Sequence, residues 1–432
     1  MDNNGQKGDV FERYALEAIP QDIRQPWFSI ALIWIGVMIC VPCLMLGGAL
    51  ITGLSLGNAF LAGVIGYTIV VAFMSFQGMQ GADLGRPTVV NASSAFGESG
   101  ARVLTSLVLA IGCLGWFGVQ ANVCGAAFSG IMNEWVGLNI PVWVSSLVWG
   151  VIMLATAIIG FNALKYLNYI AVPALVLLAI YGTYVAIAKF GTQTLANYQP
   201  PSPFPFVQGI ALAVGTFAVG GVIAADYSRY ARGRKDAVLS SVVGVWPAGV
   251  ALLLMGSVMA VVAGSYDITM VLTKMGIPAA GLVILILATW TTNTVNAYSG
   301  GLAITSMFKL SDSKRALATG VAGALGTILA VAGIIDYFIN YLMLLTSGIP
   351  PVAGVMIADY WIVRKGIASR WSKYPGVNWG GIISWLLGVV AANTIKAGVA
   401  PVTGIIVSML CYLVIAMVLR KQVSPAVEGK DI

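Results

Sequence analysis

Apolar runs of about twenty residues recur along almost the whole chain, and no other feature limits its fold so sharply. Twelve can be read, near 28–51, 58–80, 103–131, 141–161, 166–188, 206–227, 237–263, 277–302, 316–335, 337–360, 379–395 and 400–419. In hydrocarbon every backbone amide needs an internal partner, so a run of this length crosses a bilayer as a helix. Barrel strands would alternate polar and apolar residues, whereas these runs are continuously apolar. Only 9% of the 432 residues are charged, against roughly a quarter in soluble proteins. Mean hydropathy is +0.89. The expected class is therefore an all-α membrane protein of twelve transmembrane helices. The third, seventh and eighth runs are long enough to tilt or to project beyond the membrane.

Loop charge sets the expected topology. If the amino terminus is inside, 20 of the 23 Lys and Arg fall in cytoplasmic segments. Only Lys189, Lys274 and Lys396 face out. By the positive-inside rule both termini are cytoplasmic and the protein sits in the cytoplasmic (inner) membrane. The net charge of +7 follows from topology and calls for no nucleic-acid partner. The first 26 residues are polar and mixed in charge, unlike a cleavable signal peptide. All five cysteines lie in apolar runs, so Cys40-x-x-Cys43 reads as packing rather than redox or metal chemistry. The absence of histidine argues against a metal centre or a histidine proton relay.

Two runs carry helix-breaking residues at matching places. The first contains Pro42 and Gly47-Gly48; the sixth contains Gly215, Gly220 and Gly221. They are five spans apart, the pattern of an inverted repeat whose broken helices meet at a midplane site. This divides the chain into a cytoplasmic segment (1–27), a first five-helix repeat (28–190) and a second, inverted one (206–362). Two additional helices (379–420) and a cytoplasmic tail (421–432) complete it. Gly348 to Pro351 marks a further kink in span ten, a candidate gate. No charged residue lies mid-span, which suits a neutral substrate and makes proton coupling harder. Asp226, at the inner end of span six, reads as an interfacial ion pair with Arg229, or alternatively as a proton carrier.

Polar chemistry concentrates in spans three and eight. Cys113, Trp116 and Gln120 share a helix face in span three. Trp116 offers a flat apolar surface and Gln120 offers amide donors and an acceptor. Phe217, in broken span six, can supply a second plane, and two planes with amides suit a flat neutral heterocycle. In span eight Ala288, Thr291 and Thr292 form a face of small groups and hydroxyls fit for a hard cation. Asn293 and Asn296 follow as amides for a ring edge. Each of these residues has a plainer reading as helix glue or core.

Several of these motifs match a known family. They are Gly115-Trp116-Phe117-Gly118-Val119, Gly215-Thr216-Phe217 with Ala225-Asp226 and Arg229-Tyr230, Trp290-Thr291-Thr292-Asn293, and the stretch from Ile349-Pro350-Pro351 to Asp359-Tyr360. Through them the chain resembles the nucleobase–cation symporter-1 family, and within it the bacterial cytosine and purine permeases. The resemblance implies the leucine-transporter fold: two inverted five-helix repeats with broken helices 1 and 6, plus two extra helices. It implies a substrate held between Trp116 and Phe217. It also implies sodium bound by the carbonyls of Gly36, Ile39 and Ala288 with the hydroxyls of Thr291 and Thr292. Cytosine permeases differ at three positions: Cys113 replaces a Gln, Ala288 an Asn and Thr216 a Ser. Gln120 instead resembles the hydantoin and allantoin branch.

The expected function is cation-coupled import of a neutral nucleobase-like heterocycle by alternating access, with sodium as coupling ion and no cofactor. Proton coupling and a hydantoin or allantoin substrate stay open as alternatives. A channel or a nutrient receptor stands outside the transporter class, and no catalytic constellation marks an enzyme. The expected partners are the small substrate and the lipid bilayer, with no obligatory protein partner.

Overall fold

The computed structural model describes residues 17–159, 162–277 and 279–423. The start of the N-terminal segment (1–16) and the end of the tail (424–432) lie outside the described residues. Each of the twelve apolar runs forms a helix or a broken helix. Among the described residues, eight helices are long and apolar enough to cross a membrane, and a bent pair adds a ninth. Val142–Ile158, Ala316–Val331 and Trp379–Thr394 are shorter apolar helices and supply the remaining three. Leu177, Ile328, Val414 and Met417 are more than half exposed, as lipid-facing side chains are. The third span, Glu98–Ile131, has 34 residues and so a length of about 51 Å, well beyond a hydrocarbon core of about 30 Å.

Helix pairing follows the repeat. Spans one and two pack against spans six and seven, while spans three and four pack against spans eight and nine. Two helices from each five-helix half thus build each bundle, the arrangement an inverted repeat generates. Spans eleven and twelve pack on one another, and span twelve also packs on span ten.

Both expected breaks are present, and their positions sharpen the sequence reading. Span one consists of Trp27–Met38 and Val41–Ile51, bent by 58°. The break is Ile39 (φ −79, ψ 78) and Cys40 (φ −141, ψ 157). Pro42 follows in the first turn of the second half, where a missing N–H costs nothing. Gly47 and Gly48 do not break the helix. A side chain at Gly47 would collide with the backbone of Leu253, and one at Gly48 with the backbone of Tyr266. These glycines allow close packing instead. In span six, Phe206–Val222, the non-helical residue is Phe217 itself (φ −125, ψ 17). Gly215 is helical and abuts Leu342 and Thr346 of span ten, while Gly220 makes room for the Phe217 ring.

The kink at Gly348 to Pro351 is braced, not free. The Trp385 indole of span eleven donates to the Gly348 carbonyl at 2.9 Å, and Ser408 of span twelve donates to the Pro351 carbonyl at 2.9 Å. Further along, buried Asp359 accepts hydrogen bonds from Ser94, from Tyr412 at 3.0 Å and from Arg364 at 3.0 Å. That carboxylate ties the hairpin between spans two and three to spans ten and twelve.

Packing of span one on span seven can be tested by volume. A side chain at Gly256 would overlap the backbone of Leu44, whereas one at Gly320 meets nothing within 4 Å. Gly256→Val is expected to destabilise by about 1–3 kcal/mol or more. Gly320→Ala is expected to be neutral or slightly stabilising. Thermal melting of the detergent-purified protein checks both, and equal melting of the two variants contradicts this packing.

Candidate functional site

The two breaks face one cavity of about 450 Å³ between spans one, three, six and eight. Cys113, Trp116 and Gln120 line it from span three, and Thr216 and Phe217 from span six. Gly36 lines it from span one, and Thr291, Thr292 and Asn296 from span eight. Nine of the twelve residues singled out from sequence therefore meet in one place. No charged side chain lines the cavity among the described residues.

Each flat wall is held by other rings. Trp116 is braced edge-on by Tyr341 at 5.2 Å and by Phe338 at 6.2 Å. The Tyr341 hydroxyl donates to the Gly112 carbonyl at 2.8 Å. Gly115 makes this possible, because any side chain there would overlap the Tyr341 ring. Phe217 meets Trp34 edge-on at 5.7 Å, and Trp34 meets Tyr227 at 4.4 Å. Edge-to-face pairs of this kind add about 0.5–1.5 kcal/mol each beyond burial and fix ring orientation.

Trp34 and Tyr227 were not singled out from sequence, yet both line the cavity. The available signal was position: Trp34 lies two residues before Gly36, just ahead of the break. Two buried polar atoms on the wall have no protein hydrogen bond, the Gln120 Oε1 acceptor and the Trp34 Nε1 donor. Leaving such atoms unpaired costs about 1–3 kcal/mol each, which a bound ligand can recover.

The remaining three residues lie elsewhere. Asn293 is fully buried behind the wall, where its amide donates to the Phe117 carbonyl at 3.0 Å. Its oxygen accepts from Asn296 at 3.2 Å. It fastens span eight to span three and orients Asn296, and it does not line the cavity. Ala288 is buried, and its carbonyl accepts from Thr291 at 3.1 Å and from Thr292 at 2.9 Å. Those hydroxyls turn their protons inward, which leaves lone pairs facing outward. Ile39 sits at the break. There the Cys40 amide bonds the Met38 carbonyl at 2.9 Å, so the Gly36 carbonyl loses the partner a continuous helix would give it. Thr216 donates to the Leu212 carbonyl at 3.1 Å.

The lining of the cavity continues toward one side. Leu32 and Ile33 at the start of span one, Leu109 of span three and Tyr227 at the end of span six line its mouth. All lie on the side of the basic loops. On the opposite side the second half of span one is buried throughout, and Tyr266 packs on Phe338 at 5.6 Å. The Tyr266 hydroxyl also donates to the Asp336 carbonyl at 3.3 Å. Asp267, beside this seal, caps the helix Ile268–Lys274, and burial raises its carboxyl above the usual range. Asp226 sits outside the cavity wall, and its carboxylate accepts the Thr88 amide at 2.7 Å.

Comparison with known proteins agrees with this geometry. A family described as permeases for cytosine/purines, uracil, thiamine and allantoin matches residues 19–415. The cytosine permease of Escherichia coli (strain K12) is 31% identical over 428 residues, covering 99% of this chain and 97% of that protein. Among solved structures, the inward-facing conformation of Mhp1 matches with a TM-score of 0.84 at 22% identity, covering 94% of each chain. Mhp1, described as a nucleobase-cation-symport-1 family transporter, in a closed conformation with bromovinylhydantoin bound, matches with a TM-score of 0.77 at 20% identity, covering 94% of this chain and 96% of its own.

The two span-eight amides are expected to behave differently. Asn293→Ala leaves the Phe117 carbonyl unpaired and should lower stability by about 1–3 kcal/mol. Asn296→Ala should leave melting nearly unchanged and alter ligand affinity. Melting curves and ligand titrations on both variants check this, and a ligand effect confined to Asn293→Ala contradicts it.

Proposed function

The chain belongs to the family of permeases for cytosine/purines, uracil, thiamine and allantoin, and we propose that it imports a flat, neutral nucleobase-like ring together with sodium. The observation that carries this reading is the charge-free cavity between Trp116 and Phe217, with the unpaired Gln120 acceptor on its wall. Two aromatic faces suit any flat ring, and an uncharged wall suits a neutral one. The Gln120 oxygen would accept a ring N–H, the Trp34 indole could donate to a ring carbonyl or nitrogen, and Asn296 would meet another edge. Cys113 and Thr216 would complete the rim. Purines, pyrimidines and hydantoin-like rings all present such edges.

Sodium would bind where the break in span one faces span eight. The carbonyls of Gly36, Ile39 and Ala288 and the hydroxyls of Thr291 and Thr292 offer five neutral oxygens. Such a set replaces part of a hydration shell without fixed charge. The ion would join the two bundles at the hinge, and the ring would then seat between Trp116 and Phe217. Rocking of spans one, two, six and seven against the rest, with the first half of span one bending at Ile39-Cys40 relative to its second half, would expose the pair to the cytoplasm. The preponderance of basic residues on the cavity's open side supports cytoplasmic termini and an inner-membrane location. Proton coupling through Asp226 is less well supported, since that carboxylate is bonded to the Thr88 amide outside the cavity wall. The sealed far end supports a carrier over an open channel.

A thermal-shift screen of purines, pyrimidines and hydantoins, run with and without sodium, tests this reading. At least one ring should stabilise the protein, and more strongly in sodium. Trp116→Ala should cost that ring about 1–3 kcal/mol, roughly 5- to 150-fold in affinity. Thr292→Ala should remove the sodium effect while leaving weak ring binding. Ring binding that is indifferent to sodium, or unchanged in Trp116→Ala, contradicts the proposal.

A further inference from the structure

The sequence reading assigns Cys40 and Cys43 to packing, but their placement in the fold says more. The two sulfurs lie 3.5 Å apart at the break in span one. Cys40 caps the second half-helix in extended conformation and Cys43 lies in its first turn. Both line the cavity, Cys40 partly exposed and Cys43 buried. The Tyr67 hydroxyl of span two donates to the Cys43 sulfur at 3.8 Å and holds that thiol in place. All five cysteines are free thiols.

We propose that Cys40 and Cys43 are a thiol–disulfide modification site whose oxidation staples the hinge of span one and arrests transport. The geometry favours bond formation, because the sulfurs already lie 3.5 Å apart, against a bond of about 2.05 Å, in a Cys-x-x-Cys pair at a helix N-terminus. The consequence follows from where the staple sits. The second half of span one, Val41–Ile51, is buried along its whole length and forms the fixed arm. The first half carries exposed Leu32, Ile33 and Val37 and forms the arm able to swing. Cys40 is the joint between them, and a bond to Cys43 ties its extended backbone to the fixed arm.

The reactant is a small-molecule disulfide able to enter the cavity. The partly exposed Cys40, as its thiolate, attacks one of its sulfurs and releases one thiol. Cys43 then attacks the Cys40 sulfur and displaces the second thiol, which forms the internal disulfide. Two electrons pass from the protein sulfurs to the reagent, and the two cysteine protons leave on the released thiols. A dithiol reverses the exchange.

This inference rests on the chain being a transporter, so its test includes readouts that need no substrate. Full-length protein in liposomes is treated with bis(2-hydroxyethyl) disulfide, then examined by intact mass, by hydrogen–deuterium exchange and by uptake of the ring selected in the screen. The expected results are loss of two hydrogens with no adduct, slower exchange over residues 32–41, and uptake reduced about tenfold or more. Dithiothreitol should restore all three. Cys40→Ser and Cys43→Ser, each compared with its own untreated rate, should lose this sensitivity. An adduct on Cys40 without an internal bond overturns the proposal. So does an internal bond that leaves exchange and uptake unchanged. Absence of uptake in the untreated protein would instead count against the transport reading, while mass and exchange still judge the staple.

Discussion

A helix interrupted inside a membrane leaves backbone groups without partners, and hydrocarbon supplies none. The protein meets this constraint twice, at Ile39-Cys40 and at Phe217, and the rest of the architecture is arranged around the two breaks. Spans three and eight pack closely on one another and face both breaks across the cavity. What cannot be satisfied within a helix becomes the lining of a cavity. Gly36 beside the first break lines the cavity together with Thr291 and Thr292 of span eight, and the residue at the second break, Phe217, is an aromatic wall. A break in one helix alone would leave half a site. The inverted pairing of the bundles brings the two halves together.

The same constraint explains why glycine is concentrated where it is. Gly47 and Gly256 let span one lie against span seven with little between the backbones, and Gly48 lies as close to Ser265 and Tyr266 beyond it. Gly115 makes room for Tyr341, which orients Trp116. These contacts act on the site through its supports. Trp116 is fixed by Tyr341 and Phe338 from behind the cavity wall, whereas Phe217 is fixed by Trp34, itself part of the wall.

Much of this was legible from residue order. Apolar run length located all twelve spans, because the bilayer imposes a fixed thickness on each. The matched interruptions in spans one and six pointed to the site, and helical spacing put Cys113, Trp116 and Gln120 on one face. The breaks themselves were less legible. Pro42 and Gly47-Gly48 drew attention to the wrong turn, since proline marks the start of a half-helix and glycine marks a close approach equally well. Asn293 and Asn296 could not be told apart, because three residues along a helix is nearly one turn. Only the neighbouring Phe117 carbonyl decides which amide turns inward. Trp34 was missed because an aromatic on an apolar helix is usually core. Asp359 was missed because a carboxylate at a span end resembles an interfacial charge until Ser94, Arg364 and Tyr412 are seen around it.

The central claim is that the two breaks form a joint site for a neutral ring and a sodium ion. If so, each transport event carries positive charge inward although the ring carries none. Recording current from liposomes on a solid-supported membrane measures this directly. Adding the ring in sodium buffer should evoke an inward transient that disappears when choline replaces sodium at the same pH. A transient of equal size in choline, growing as external pH falls, would contradict the account and move the coupling ion to the proton.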